Sequence, residues 1–280
     1  MSGRFTFAVV GHDEADSLAA VVDQARQAAT ADDEVVFVDS ASTDGSGDVA
    51  RALGIEVVDA PLGKGRAMAV ALARARDRSD HICFLDADLI ASETVIPVEL
   101  RRAVEATGAD QVVGHFEEPG RRRAVTPGIY QPLLGALFPD LAGRDVVVPL
   151  SGFRALRTDL ELRPLPPGYG VETHLNLEVP LNGGRSISCP LGRFEGKLRG
   201  YTNIPAIGAD VAEALLDTAV AHGRLSPASR PAWDAWVAPV LEHLRLQPSV
   251  GADDAAYVDH LLRLAARPLP PTGIEGDPPR

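Results

Sequence analysis

Cysteine is nearly absent from this chain. The two present among 280 residues, Cys83 and Cys189, are too few for a disulfide framework, and they read as buried thiols kept in a reducing cytosol. Basic charge is also short: 27 Lys and Arg stand against 39 Asp and Glu, a formal net charge of −12. That balance argues against a nucleic-acid surface and points to small-molecule partners, with any anion held locally. No uninterrupted apolar run reaches about 18 residues, and the opening Met1 to Phe7 is short and polar. The expectation is therefore no membrane span, no secretory signal and a cytoplasmic location. No internal repeat is found. What remains is ordinary for a soluble globular protein, with 45% hydrophobic and 24% charged residues. The length allows one large domain with an appendage.

Short apolar runs alternate with helical patterns over the first third of the chain. Phe5 to Val10, Glu34 to Val38, Ile55 to Val58 and the run ending at Asp86 read as strands. Leu18 to Ala29, with Ser17 or Asp16 as cap, Asp44 to Leu53 and Arg66 to Arg76 read as helices. This alternation predicts an α/β fold with a doubly wound, mostly parallel sheet. Farther on, Val95 to Ala106 and Tyr130 to Phe138 look helical, and Gln111 to Phe116 looks like a strand. From Ala206 to Ala266 most signals are helical. The expected division is a catalytic domain over 1–205, a helical region over 206–267 and a disordered Pro/Gly-rich tail over 268–280.

The most informative stretch is His81-Ile82-Cys83-Phe84-Leu85-Asp86-Ala87-Asp88, an apolar run ending in two carboxylates one residue apart. A run covered on both faces suits a central parallel strand, whose carboxyl end is where such sheets place ligands. Two hard oxygen ligands suit Mg2+ or Mn2+, which can clamp a diphosphate. Asp39-Ser40-Ala41-Ser42-Thr43-Asp44 closes the second strand, where a base or ribose would be met, although Ser42, Thr43 or Asp44 also caps the next helix. Gly63-Lys64-Gly65 sets a lysine between glycines ahead of a helix, favourable for phosphate but without the spacing of a P-loop. Gly168-Tyr169-Gly170-Val171-Glu172 places a carboxylate in the first turn of a helix, where the dipole alone would favour it.

Taken in order, these motifs, with Pro149-Leu150-Ser151-Gly152 and Pro167-Gly168-Tyr169-Gly170-Val171-Glu172, resemble retaining glycosyltransferases of the GT-A fold. More narrowly, they are similar to the glucosyl-3-phosphoglycerate synthases and mannosylglycerate-type enzymes of actinobacteria, over about residues 5 to 200. The resemblance implies that Asp39 and Ser40 hold the nucleoside near Glu14 and that Lys64 contacts the diphosphate or base region. It further implies that Asp88, helped by Asp86, binds the metal, and that Leu150, Ser151 and Gly152 line the donor and acceptor pocket. Glu172 would contact the donor sugar or an acceptor hydroxyl, and Thr126 would help hold the acceptor.

The departures from the family pattern are specific. The first loop reads Val9-Val10-Gly11-His12-Asp13-Glu14 in place of Pro-x-x-Asn-Glu-Glu. The acceptor-clasping arginine is displaced, leaving Arg122 or Arg123 as substitutes, so the phosphoglycerate-like acceptor and an uncharged one both stay open. Glu195 stands near the place of the family's histidine as a third metal ligand. The implied activity is hexose transfer from a UDP- or GDP-sugar to a small hydroxylated acceptor, with Glu172 and Asp88 in the catalytic roles and a homodimer as one assembly. Two rivals are a sugar-phosphate nucleotidyltransferase and a non-catalytic nucleotide-sugar-binding relative.

Overall fold

The computed structural model describes residues 3–117, 124–144, 146–196, 203–246 and 254–274. The chain folds as two compact units. The first comprises Met1–Gly120, Asp145–Gly168 and Glu178–Leu198. The second comprises Arg121–Arg144, Tyr169–Leu177 and Arg199–Arg280. The second thus draws on two segments that the sequence assigns to the catalytic part.

In the first unit, β1 (Phe5–Gly11), β2 (Glu34–Ser40), β3 (Glu56–Ala60) and β4 (His81–Asp86) lie parallel in the order 3-2-1-4. The helices α1 (Leu18–Ala28), α2 (Ser46–Ala52) and α3 (Lys64–Ala75) connect them. Continuous apolar runs form these strands because both faces are covered: Phe7, Ala8 and Val9 of β1, Phe37 and Val38 of β2, and Ile82 to Leu85 of β4 are all buried. After β4 come β5 (Leu89–Ser92), α4 (Ile96–Thr107), β6 (Gln111–Glu117), β7 (Arg154–Arg157) and β8 (Ser186–Gly196). The described sheet reads 3-2-1-4-7-6-8-5, in which only β7 and β5 run against the rest. The mixed α/β, mostly parallel architecture is therefore as expected, with β5, β7 and β8 additional to it.

Two local expectations change. Ser17 does not cap α1 through its side chain; its hydroxyl donates instead to the Glu14 carboxylate at 3.1 Å. Helix α3 starts at Lys64 and not at Arg66, because the Gly63 carbonyl already accepts from the Ala67 amide at 3.0 Å. Both cysteines are buried, which pushes each thiol pKa up and leaves little thiolate at neutral pH.

The second unit is helical. It contains a π-helical turn (Thr126–Tyr130), α5 (Gln131–Leu137) and the first turns of α6 (Val171–Leu181). The chain then adds α7 (Ile204–Ala221), α8 (Arg230–Arg245) and α9 (Asp254–Ala265). Trp233 and Trp236 are buried anchors on α8 whose indole N–H groups reach the chain beyond α9. Trp233 donates to Pro271 O at 3.2 Å and Trp236 to Arg267 O at 3.4 Å. The Ser226 amide adds a bond to Thr272 O at 2.8 Å. Within the tail expected to be disordered, Pro271 O and Thr272 O are thus taken up by the Trp233 indole and the Ser226 amide, and Arg267 O just before it by the Trp236 indole; residues 275–280 lie outside the described part. No helix among the described residues is long and apolar enough to cross a membrane.

Candidate active site

The strand order reverses between β1 and β4, and open α/β sheets bind ligands at such a point, outside the carboxyl ends of the strands. The register levels the relevant residues: Gly11 pairs with Asp39 on one side, and Val10 with Asp86 on the other. The loops leaving β1 and β2 are locked together. Asp13 Oδ1 accepts from the Thr43 amide at 2.7 Å, Asp44 Oδ2 from the Ala15 amide at 2.9 Å, and Ser46 Oγ from the Glu14 amide at 2.8 Å. Burial raises the Asp44 pKa, but bonds from the Ser46 hydroxyl and the Ala15 and Ser46 amides outweigh it and hold the carboxyl below its usual value. His12 donates from Nδ1 to Ser40 O at 2.9 Å, since a carbonyl can only accept.

Within this frame the expected nucleoside residues take distinct places. Asp39 is half-buried at the end of β2, where its Oδ1 accepts from the Ser42 amide at 2.9 Å. Ser40 is buried; its hydroxyl accepts from the Gly63 amide at 3.0 Å and donates to Pro61 O at 3.3 Å, bracing the 61–63 loop. Glu14 is buried beneath the first loop, bonded to Ser17.

Lys64 opens α3 and reaches the end of β4. Its ammonium lies 2.9 Å from Asp86 Oδ1 and 3.2 Å from Oδ2. This lysine is held in place by the carboxylate that ends β4. The flanking glycines serve a packing need that the sequence does not reveal. A Cβ on Gly65 would lie 1.8 Å from Pro166 O, and one on Gly63 2.6 Å from Pro167 O. The close backbone approach that glycine allows is thus made to the chain's own 166–168 loop, which also accepts the Arg66 amide through Pro167 O at 3.2 Å.

The Pro149 to Gly152 loop closes the other side of Asp86. A Cβ on Gly152 would fall 2.0 Å from Asp86 Oδ2 and 2.5 Å from its Cγ. Gly152→Ala should therefore push the Asp86 carboxylate off Lys64, a side-chain displacement that leaves the fold standing. Turnover is expected to fall about a hundredfold, with only a small change in Tm; steady-state kinetics and a melting curve check both. Leu150 is half-buried, while Ser151 is buried, and its Oγ has no hydrogen-bond partner among the described residues.

A divalent cation fits this donor set. Among the described residues no three His, Cys, Asp or Glu side chains are grouped to hold a metal. Asp86 and the half-buried Asp88 in the turn after β4 supply two oxygen-bearing side chains. Mg2+ is commonly held in just this way, by one or two carboxylates together with substrate phosphates and water. Glu195 is in β8, in register with Ala91 of β5, but its side chain lies outside the described part. Arg122 and Arg123 also lie outside it. Thr126 opens the π-helical turn, and Glu172 is buried in the first turn of α6; both belong to the second unit. Sequence reasoning did not find Arg154, a fully buried arginine directly after this loop, and its one signal was a charge inside an otherwise apolar Phe153 to Leu156 segment.

Known proteins resemble the chain in sequence and in fold. Residues 6–160 match the model of the glycosyl transferase family 2. Glucosyl-3-phosphoglycerate synthase of Mycolicibacterium paratuberculosis is 30% identical over 189 residues, 60% of this chain and 57% of that protein. The chain thus spans under two thirds of that relative's length. The Mycobacterium tuberculosis glucosyl-3-phosphoglycerate synthase, solved with Mn2+, uridine diphosphate and phosphoglyceric acid, superposes with a TM-score of 0.67 at 27% identity, covering 78% of each chain. Mannosyl-3-phosphoglycerate synthase from Rubrobacter xylanophilus superposes with a TM-score of 0.68 at 27% identity, over 80% of this chain and 76% of that one.

Proposed function

The chain belongs to the glycosyl transferase family 2, and from that premise we propose that it is a metal-dependent glycosyltransferase moving a hexose from a nucleoside diphosphate sugar to a small hydroxylated acceptor. The observation that carries this reading is the meeting of Lys64, Asp86 and the Pro149–Gly152 loop at the point where the strand order reverses. Among UDP- and GDP-sugars the reading takes the uridine form first, because the Mycobacterium tuberculosis neighbour was solved with uridine diphosphate. The phosphoglyceric acid bound in that same structure supports an acceptor of that carboxylate and phosphate kind here.

Asp86 and Asp88 would hold Mg2+ or Mn2+, which when bound supplies charge stabilisation to the departing diphosphate. Lys64 adds a fixed positive charge in the same crevice, and because Asp86 already orients it, little reorganisation is needed as negative charge develops. The acceptor hydroxyl attacks the anomeric carbon from the face that the diphosphate leaves, so that configuration is retained. A leaving-group oxygen takes the hydroxyl proton, so no separate base is required. Glu172 is assigned to orienting a hydroxyl, on the strength of its motif.

A melting-temperature panel of nucleoside diphosphates and their sugars, with and without Mn2+, tests the reading, because ligands that bind the folded state raise Tm by mass action. Uridine diphosphate with Mn2+ is expected to raise Tm by several degrees and to do much less without the metal. No shift with any nucleotide or nucleotide sugar would contradict the reading.

A further inference from the structure

Arg154, the first residue of β7, is 0% exposed, an unusual place for a guanidinium. It stands opposite Phe84 of β4 and Val113 of β6, in the middle of the sheet. From there it turns back on the loop that leads into its own strand. Nη2 donates to Ser151 O at 2.6 Å, Nε to the same oxygen at 3.2 Å, and Nη1 to Gln111 Oε1 at 3.3 Å. Pro149 O lies at the edge of reach, 3.5 Å from Nη2. Gln111 is itself buried and donates to the Ser186 hydroxyl at 3.1 Å, so the fork has a fixed base. Two nitrogens converging on one carbonyl is a geometry that a lysine ammonium does not reproduce.

The loop so gripped carries the buried Ser151 hydroxyl, which has no partner among the described residues, and presses Gly152 against Asp86. Leaving a buried hydroxyl unbonded is unfavourable, so its persistence points to a partner supplied by a ligand. We propose that Arg154 is a positioning residue: by holding the Ser151 carbonyl it keeps Gly152 against Asp86 and reserves the adjacent Ser151 hydroxyl for the bound donor. This rests on the reading of the crevice as a nucleotide-sugar site.

The test is a double-mutant cycle of Arg154→Lys and Ser151→Ala, read by kinetics, melting and hydrogen exchange. Arg154→Lys is expected to lower kcat about tenfold or more while changing the donor KM less than about threefold. In the Ser151→Ala background the same change should cost much less. Equal cost in both backgrounds would overturn the proposal. Ser151→Ala alone should lower kcat yet leave Tm unchanged or higher, because it removes an unbonded polar group. A drop in its Tm with normal kcat would assign Ser151 to structure only and overturn the proposal even where Arg154 variants do not fold. If the unaltered protein uses no nucleotide sugar, the functional reading fails separately. The fork is then judged by exchange of the Ser151 and Gly152 amides, which Arg154→Lys should accelerate about tenfold and which unchanged rates would contradict.

Discussion

Asp88→Asn is expected to reduce turnover by about a thousandfold while leaving the protein folded. The substitution keeps the size and half-buried place of the side chain but removes its negative charge and one strong oxygen donor for a cation. Charge stabilisation of a leaving diphosphate by a bound cation is worth several kcal/mol, and about 4 kcal/mol corresponds to a factor of about a thousand in rate. The loss should come with a changed binding signature. Nucleotide affinity measured by calorimetry should become nearly independent of Mn2+, whereas the unaltered protein binds more tightly with it. Asp86→Asn is a harsher change, because Asp86 also holds Lys64 at 2.9 Å. An Asp88→Asn protein with full turnover and full Mn2+ dependence would remove Asp88 from the site.

Gly65→Ala should have the largest effect on stability. The added methyl would sit 1.8 Å from Pro166 O, 2.9 Å from Pro166 C and 3.0 Å from Gly168 O. All three are backbone atoms, so no side chain can swing away to make room. Overpacking of this kind costs about 3 kcal/mol, which for a chain of this size lowers Tm by about 6–12 °C. Because α3 begins with Lys64, a displaced helix start should also pull the ammonium from Asp86 and depress kcat in any molecules that remain folded. The contrast with Gly152→Ala is diagnostic, since there the obstructing atoms are the end of a side chain. Equal melting temperatures for Gly65→Ala and the unaltered protein would show that the two loops do not abut.

The parts of the fold that were legible are those with local signals. β1, β2, β3 and β4 are apolar runs closed by polar turns, and α1 to α4 follow apolar periodicity. β7 was hidden because it is four residues long with arginine at both ends, and β8 because Pro190 and Gly192 argue against a strand. β8 tolerates them where its pairing with β6 changes register between His115 and Glu117. The bonded part of the tail depends on the Trp233 indole of α8, 38 residues from Pro271, which composition does not encode.

The site divides in the same way. Asp86, Asp88 and Lys64 announce themselves by residue type, and the crevice follows from the alternation of strands and helices. Hidden from the sequence were the Lys64–Asp86 pair, the packing of Gly63 and Gly65 on the 166–168 loop, and the grip of Arg154 on Ser151. Each joins segments at least 22 residues apart or depends on a turn that only the folded chain reveals. Such contacts arise from tertiary packing and leave no periodicity.

The most direct measurement is a transfer assay with the unaltered protein, Mn2+, UDP- or GDP-hexose and phosphoglyceric acid, followed by mass spectrometry and by release of the nucleoside diphosphate. The account predicts a product heavier than the acceptor by one hexose, formed with stoichiometric diphosphate, lost on chelation of the metal and retaining the anomeric configuration of the donor. Pyrophosphate formation from a nucleoside triphosphate and a sugar phosphate, with no hexose transfer to any hydroxylated acceptor, would contradict it.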